Sequence, residues 1–587
     1  MPVLDLDALL AVEPQGAKRD VKDAKVGPHL PDIAHANSVD AKLVARIKRT
    51  LKAADEGDLI EAARQALKAL DIAPEHYLSN QTMGLVLERM GRLSQSIDFY
   101  ERAWKFNPAD SGVYYNLGMV AWKLDMLEAA ERFYRIALDL DPGSEEAVIN
   151  LAGVLRDQAQ FADCIEILRT AVYARPENPL FWNSLGTALL DAGDPEQAAT
   201  FYHETLRLDP EFGRGWHNLG FAELLMGDAE ASIAASDKSL PLSASPSDHA
   251  EMLYSRSTAA LAAGRLEEGW RDYEVRLDKH YSSGTRFLIK APRWDGGASV
   301  EGRRVLLIGE QGVGDEVLFL NVCLDLIEEI GPTGALTIAC ENRLTPLVAR
   351  SFPGVRVVPH GTTRKEGCVY RGVPAVKAED DIDVWAPMAT PIGRYRRRIE
   401  DFPDRSAYLV PDPERVAAFT AALAELPPGP KVGLCWKSKL MNSKRTKYFS
   451  PFEDWKNVLT TPGATFVSLQ YGAVDEEIAH AANEFGVTIH QIPDLDLMQD
   501  LEGVAALGAA LDLSLGPLNA STNLSAAAGG EVWFIALKTN WPLLGTNRLP
   551  WYPRTRAFYP ARYGDWRGVM GDIAAELAGY IDARAAA

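Results

Sequence analysis

The sequence predicts an all-α repeat array followed by an α/β region of two βα lobes. Three observations predict it. Pro74, Pro108, Pro142, Pro176 and Pro210 recur at intervals of 34 residues. From Arg303 onward, short apolar runs alternate with helical stretches. A glycine-rich turn, GEQGVGDEVLF, follows the first of these runs. The 587 residues are enough for several domains with large cores.

The array comes first. Ten residues after each proline stands a small residue: Gly84, Gly118, Ala152, Gly186 and Gly220. Sixteen residues further on come Tyr100, Tyr134, Leu168 and Tyr202, with Ala103, Ala137 and Ala171 three later. Gly91, Gly193 and Gly227 fall between the two apolar-periodic stretches of a unit, where a turn is needed. Each unit therefore reads as two short helices. The small residue lets the backbones approach, the bulky residue fills the space between them, and the proline ends the second helix. Residues 43–76 and 213–280 read as degenerate flanking units that cap the array. In the last, Gly264, Gly269, Trp270 and Tyr273 repeat the turn, small and aromatic positions. Residues 1–42 lack a clear period and read as a flexible segment with a short helix near Leu4–Leu10.

After residues 281–302, a linker, the period changes. RRVLLIG, ALTIAC, VRVVP, KVGLCW, TFVSLQ, VTIHQ, LDLSLG and VWFIAL read as buried strands separated by helices. That alternation predicts parallel sheets covered by helices. ELPPGP, before Lys431, separates a first lobe (303–430) from a second (431–587) with a cleft between them.

The charge is unevenly shared. The chain carries 61 basic and 81 acidic residues, a net of −20. Residues 301–587 hold 29 basic and 35 acidic residues, a net of −6, so residues 1–300 carry −14. This disfavours nucleic acid as a partner. Five cysteines without a close pair argue for a reducing compartment rather than a disulfide scaffold. MPVLDLDALL lacks the basic start and apolar core of a signal peptide. No apolar run reaches the roughly 18 residues of a membrane span. A cytoplasmic protein without stable membrane insertion is expected.

The 34-residue units resemble the tetratricopeptide repeat, whose stacked hairpins form a superhelix with a concave, peptide-binding groove. Asn116, Asn150 and Asn218 stand two residues before the small position, with Ser184 and Thr82 at the same place in other units. They resemble the asparagine ladder of O-linked N-acetylglucosamine transferases, which implies amides that bind the backbone of an acceptor polypeptide; the plain alternative is that asparagine is simply common at that place in such repeats. The order of elements after residue 303 resembles a GT-B glycosyltransferase of the heptosyltransferase-like branch. GEQGVGDEVLF, VGLCWKSKLMNSKRTKYFSPFEDWKNVL, ATFVSLQ and DLEGVAALGAALDLSLGPLNASTNLSAAAGGEVWFIAL carry the match. Repeats joined to this domain through GWRDYEVRL and APRWDG resemble bacterial flagellin-modifying glycosyltransferases. The resemblance implies a flagellin acceptor and a sialic-acid-like nonulosonic acid donated from a nucleotide sugar, such as a CMP-activated one. It implies an inverting reaction with no cofactor and no metal.

Sugar transfer needs a held leaving group and a base for the acceptor hydroxyl. Asn519, Ser521, Thr522 and Asn523 surround an expected helix start after a strand, where free N–H groups and the helix dipole favour phosphate. A cap alone would use one of them. Lys437, Lys439, Lys444, Arg445 and Lys447 place five cations in eleven residues, positioned to neutralise a phosphate. A solvated surface loop is the plain alternative. Gln470 ends the next strand, in reach of a base or ribose. Gly312 and Gly314 permit a tight turn and close approach of the donor. The resemblance gives Asp315 the role of general base, with Glu310 and Glu316 as fallbacks; an N-cap aspartate would also explain Asp315. The Asp-X-Asp triplets at 381–383 and 494–496 are weak signals, since one also occurs at 139–141 within the repeats. Histidine and cysteine spacings match no metal site, and no Lys-Ser/Thr follows the glycine loop as in an NTPase.

Two other readings remain open at this level. One is a non-catalytic adaptor or chaperone carrying a degenerate GT-B scaffold. The other is a transferase for a lipid or polysaccharide acceptor, for which the aromatic and basic WPLLGTNRLPWYPRTRAFYP would supply a membrane-facing surface; the plain alternative for that stretch is a segment packing across the cleft, with Trp541 near the donor.

Overall fold

The structure, a computed structural model, describes residues 40–365, 368–377, 382–438 and 448–585. The helix expected near Leu4–Leu10 lies outside them, as do Asp381, Lys439, Lys444, Arg445 and Lys447. The chain forms two compact units. The first takes residues 1–192 with 365–367, and the second residues 193–364 and 368–587.

Residues 40–192 of the first unit are built of helices. Hairpins α1 (Ala41–Asp55)/α2 (Leu59–Ile72), α3 (Tyr77–Arg89)/α4 (Leu93–Phe106), α5 (Ser111–Lys123)/α6 (Leu127–Leu140) and α7 (Glu145–Asp157)/α8 (Phe161–Ala174) precede α9 (Pro179–Asp191). The pairing of small and bulky positions is tight. A β-carbon on Gly84 would lie 2.7 Å from the Tyr100 ring, and one on Gly118 would lie 2.9 Å from Tyr134. Both rings are fully buried. Glycine is needed there because any side chain would enter the volume that the ring fills.

The turn inside each hairpin is left-handed. Gly57, Gly91, Asp125 and Ala159, spaced by 34, have φ of 80, 73, 64 and 60°. Only glycine adopts this region freely, so Asp125 and Ala159 hold it at a cost. A further periodic contact closes the turn between hairpins. The Tyr114 hydroxyl donates to the Pro108 carbonyl (3.2 Å), and the Trp182 indole donates to the Pro176 carbonyl (2.6 Å).

In the second unit, α10 (Pro195–Leu208), α11 (Gly213–Leu225)/α12 (Ala229–Ser239) and α13 (Pro246–Ala262)/α14 (Leu266–Tyr273) continue the pattern. Trp216 repeats the aromatic-to-proline bond, to Pro210 at 2.9 Å. Two parallel sheets follow. The first has the order β3-β2-β1-β4, from β1 (Arg304–Ile308), β2 (Ala335–Cys340), β3 (Arg356–Pro359) and β4 (Val384–Pro387). The second has the order β7-β6-β5-β8-β9-β10, from β5 (Lys431–Leu434), β6 (Thr465–Ser468), β7 (Ile489–His490), β8 (Leu513–Pro517), β9 (Val532–Ile535) and β10 (Thr555–Phe558). All eight expected apolar runs are strands. Sequence reading missed β4 and β10, and it missed a small sheet in which Thr285–Phe287 pairs in parallel with Cys368–Gly372.

The degenerate last hairpin, read from the sequence as a cap of the array, also packs on the sheets. Leu261, Leu266, Trp270 and Tyr273 share one hydrophobic core with Val305 and Leu307 of β1, Phe534 of β9 and Trp551. The Trp270 indole donates to the Arg396 carbonyl at 3.0 Å. The aromatic C-terminal stretch is also core. Leu549, Trp551 and Tyr552 are fully buried, so they form no membrane-facing surface. All five cysteines are free thiols, and no described helix is long and apolar enough to cross a membrane.

Candidate functional site

A cavity of about 880 Å³ lies at the carboxyl ends of the two parallel sheets in the second unit. Open parallel sheets bind ligands at that end, where the strand order reverses. In the first sheet the reversal is at β1, and in the second it is between β5 and β8. Chains leaving β1 and β8 bring Gly312, Gly314 and Asp315 against Asn519, Ser521 and Asn523 in one lining. Arg343, after β2, and Trp541, after β9, also line it.

On the first sheet's side, Gly312 N-caps α15 (Val313–Phe319). Asp315, in its first turn, reaches back so that its carboxylate accepts the Gly312 N–H at 3.0 Å. Asp315 is thus not the N-cap that the sequence alternative offered: it stands three residues after the cap, closes the turn with one oxygen and still lines the cavity. Its pKa is pushed up to about 6. Loss of solvent is the main cause, the charges of Glu310 and Glu316 add to it, and the Gly312 N–H opposes it.

Glu310 and Glu316, the fallback bases, do not line the cavity. Glu310 is buried and accepts from Arg276 at 2.8 and 3.1 Å and from the Ala389 N–H at 2.8 Å. Glu316 is buried and meets the Glu341 N–H (2.8 Å), His360 (2.9 Å) and Arg371 (3.1 Å). Buried carboxylates persist only when paired in this way, and here both fix the loop.

On the second sheet's side, α16 (Ala520–Ala527) begins in the cavity wall. Thr522 and Asn519 cap it reciprocally: the Thr522 N–H donates to the Asn519 side chain and the Asn519 N–H to the Thr522 hydroxyl, each at 3.2 Å. Thr522 is fully buried and absent from the lining, so its role is the cap. Asn523 accepts from the Tyr552 hydroxyl at 3.0 Å, which fixes its amide. The α15 start approaches closely: a β-carbon on Gly314 would be 3.4 Å from both the Ala520 nitrogen and the Asn523 amide nitrogen. The cap takes the N–H groups of Asn519 and Thr522; those of Ala520 and Ser521, two lining residues, have no intrahelical acceptor, so this wall offers donors to an anion.

Other expected residues lie elsewhere. Gln470 is buried, and its carbonyl accepts the Trp436 and Lys437 N–H groups, both at 2.8 Å. It shapes the loop after β5 and does not line the cavity. Lys437 pairs with Glu477. Asp383 pairs with Arg304 at 2.8 Å, at the opposite, amino end of β1. Asp494 and Asp496 precede lining residues, and Asp496 caps the Met498 and Gln499 N–H groups. Among the described residues no group of three or more His, Cys, Asp or Glu could hold a metal. Of the ladder positions, Asn116 and Asn150 are fully buried and so do not present amides to an acceptor backbone as expected, and Asn218 is half-buried. Asn150 donates to the Tyr115 hydroxyl at 2.8 Å and leaves its own buried oxygen unpaired.

Sequence reading missed Arg343, which lines the cavity, pairs with Glu341 at 2.9 Å and donates to the Met498 carbonyl at 2.6 Å. The signal was available: it follows ALTIAC, at the carboxyl end of a strand.

Tetratricopeptide-repeat models match residues 121–186 and, separately, 82–145 and 185–246. Protein FlbA of Caulobacter vibrioides is 41% identical over 534 residues, covering 90% of this chain and 89% of that protein. The chain belongs to the FlbA family. An alignment of that length cannot be confined to the repeats, so the FlbA likeness extends into the sheets. The human protein O-mannosyl-transferase TMTC3 is 26% identical over 166 residues, which is 26% of this FlbA-family chain and 18% of the human protein. A tetratricopeptide repeat protein from Parabacteroides merdae, known from a crystal structure, overlays with a TM-score of 0.35 at 15% identity, covering 40% of this chain and 92% of that one.

Proposed function

We propose that this chain is a protein O-glycosyltransferase with a GT-B catalytic region. The repeats hold a polypeptide acceptor, and the cavity transfers a sugar from a nucleotide donor to a Ser or Thr hydroxyl. The observation that carries the reading is Asp315 facing the capped start of α16 across one cavity. The acceptor hydroxyl gives its proton to Asp315 while its oxygen bonds to the anomeric carbon. The bond from that carbon to the leaving phosphate breaks, and the phosphate's charge is received by the N–H groups at the α16 start.

A carboxylate titrating near 6 is suited to this task. It is mostly ionised at neutral pH yet more basic than an ordinary aspartate. Asn519, Ser521 and Asn523 are the donor contacts of this reading, with Lys439, Lys444 and Arg445 as further cations. A relative that carries protein O-mannosyl-transferase in its name supports protein glycosylation as the class. The resemblance to flagellin-modifying enzymes makes flagellin the acceptor and a nonulosonic acid on CMP the donor of choice.

The test is intact-mass analysis of purified flagellin incubated with the chain and the CMP sugar. A gain of one or more sugar masses, lost with Asp315→Asn, is expected. Transfer that persists in both Asp315→Asn and Arg445→Ala sinks the site assignment. No mass gain with the native chain favours the adaptor reading.

A further inference from the structure

The loop bearing Asp315 is held from a direction that the sheets alone do not supply. Gln311, just before the Gly312–Asp315 turn, has φ of 61°, a left-handed conformation that a side-chain-bearing residue keeps only under constraint. Two contacts impose it. The Gln311 amide donates to the Tyr273 hydroxyl at 2.5 Å, and its carbonyl accepts from Arg371 at 2.6 Å. Its neighbour Glu310 receives the two donors of Arg276 described above. Tyr273 ends α14, and Arg276 follows three residues later.

These two residues are themselves rigidly seated. Arg276 is buried, lies over the Tyr273 ring at 4.7 Å, and donates to the Tyr273 carbonyl at 3.1 Å and to Thr390 at 3.2 Å. Tyr273 is buried against Trp270, Tyr254 and the cavity residue Trp541, with ring centroids 5.6–5.9 Å away.

We infer that Tyr273 and Arg276, the end of the last helical hairpin, are positioning residues that set where the Asp315 carboxylate stands. The inference rests on the reading of Asp315 as base. It adds that the hairpin belongs to the mounting of the reactive loop, through Gln311 and Glu310. The titratable groups facing Asp315 are Glu310 and Glu316 on its own segment, Tyr254 and Tyr273 from the hairpin, and Tyr552 from the second sheet's side.

The test uses the full chain with Tyr273→Phe, which keeps the ring and deletes only the hydroxyl, and with Gln311→Gly, which removes the amide and relieves the backbone. Each variant is expected to lower kcat about 10–100-fold, as small misplacements of a reacting group do. KM for donor and acceptor should stay within about 2-fold, and the double variant should lose no more than either single one. The acid limb of the rate profile should move below about pH 6 as the loosened loop admits water to Asp315. Independently of any transfer, hydrogen exchange of a peptide spanning residues 310–319 should speed up in both variants. Unchanged exchange together with native kcat and pH limb overturns the positioning role. If Asp315→Asn transfers as well as the native chain, the base reading falls instead, and the exchange measurement alone still decides the mounting.

Discussion

The hairpins of the first unit and the loop at residues 309–316 solve the same problem in opposite ways. Both hold backbone in costly conformations: left-handed turns at Asp125 and Ala159 in one, at Gln311 in the other. In the hairpins every constraint is local and repeats, so a small residue meets a ring sixteen positions on and an aromatic donor meets a proline carbonyl six positions back. In the loop, apart from the Asp315–Gly312 closure, each constraint is used once and comes from another element 34 to 79 residues away, from Tyr273, Arg276, His360, Arg371 and Ala389. Repetition makes a region tolerant, because each hairpin is backed by its neighbours. The loop has no such reserve.

Substitutions can break or sharpen this contrast. The largest effect is expected at the loop's tip, where Asp315→Asn should cut transfer about 10²–10⁴-fold, the usual worth of a general base. Native transfer should rise with pH through about 6, where Asp315 loses its proton. The same shift carries a stability signature. A carboxyl pKa raised in the folded state means the fold binds that proton more tightly, so its contribution is intact at low pH and lost as pH rises through the window up to about 6. Asp315→Asn should therefore raise Tm more at pH 8 than at pH 4.

Arg276→Ala comes next. It leaves Glu310 buried and without its cation, which should cost about 3–5 kcal/mol in denaturant unfolding. Within the hairpins, Gly84→Ala drives a methyl into the Tyr100 ring and should cost about 1–3 kcal/mol. The smallest effect has the opposite sign. Ala159→Gly relieves a left-handed turn and should stabilise by about 1 kcal/mol or less, read as a small rise in unfolding midpoint. If Gly84→Ala proved as damaging as Arg276→Ala, the tolerance ascribed to the repeats would be wrong.

The same contrast explains what could be read without coordinates. The array was legible from Pro74 to Pro210 because its information lies within 34 residues, and the strands were legible because buried parallel strands are continuous apolar runs. Gly312, Asp315, Asn519, Ser521 and Asn523 could be singled out because turn and cap chemistry is local. Only the resemblance ranked Asp315 above Glu310 and Glu316; the residues themselves could not, since three nearby carboxylates look alike until Arg276, Arg371 and His360 arrive from other segments. Gln470 misled for the same reason: a polar residue at a strand end suits a ligand and a loop equally well. The missed donors Tyr114, Trp182 and Trp216 were periodic, and the 34-residue comb would have caught them had the fourth position of each first helix been included.

The core shared by the last hairpin and the sheets has a practical meaning for anyone dividing the gene. A cut near residue 281 would remove Leu261, Leu266, Trp270 and Tyr273 and leave Trp541 and Trp551 facing water where aromatic rings had been. Such a fragment would present a greasy wound at the very wall of its cavity and lose the clasp on Glu310 and Gln311. A fragment that begins before α10 keeps that hairpin with the sheets it seals.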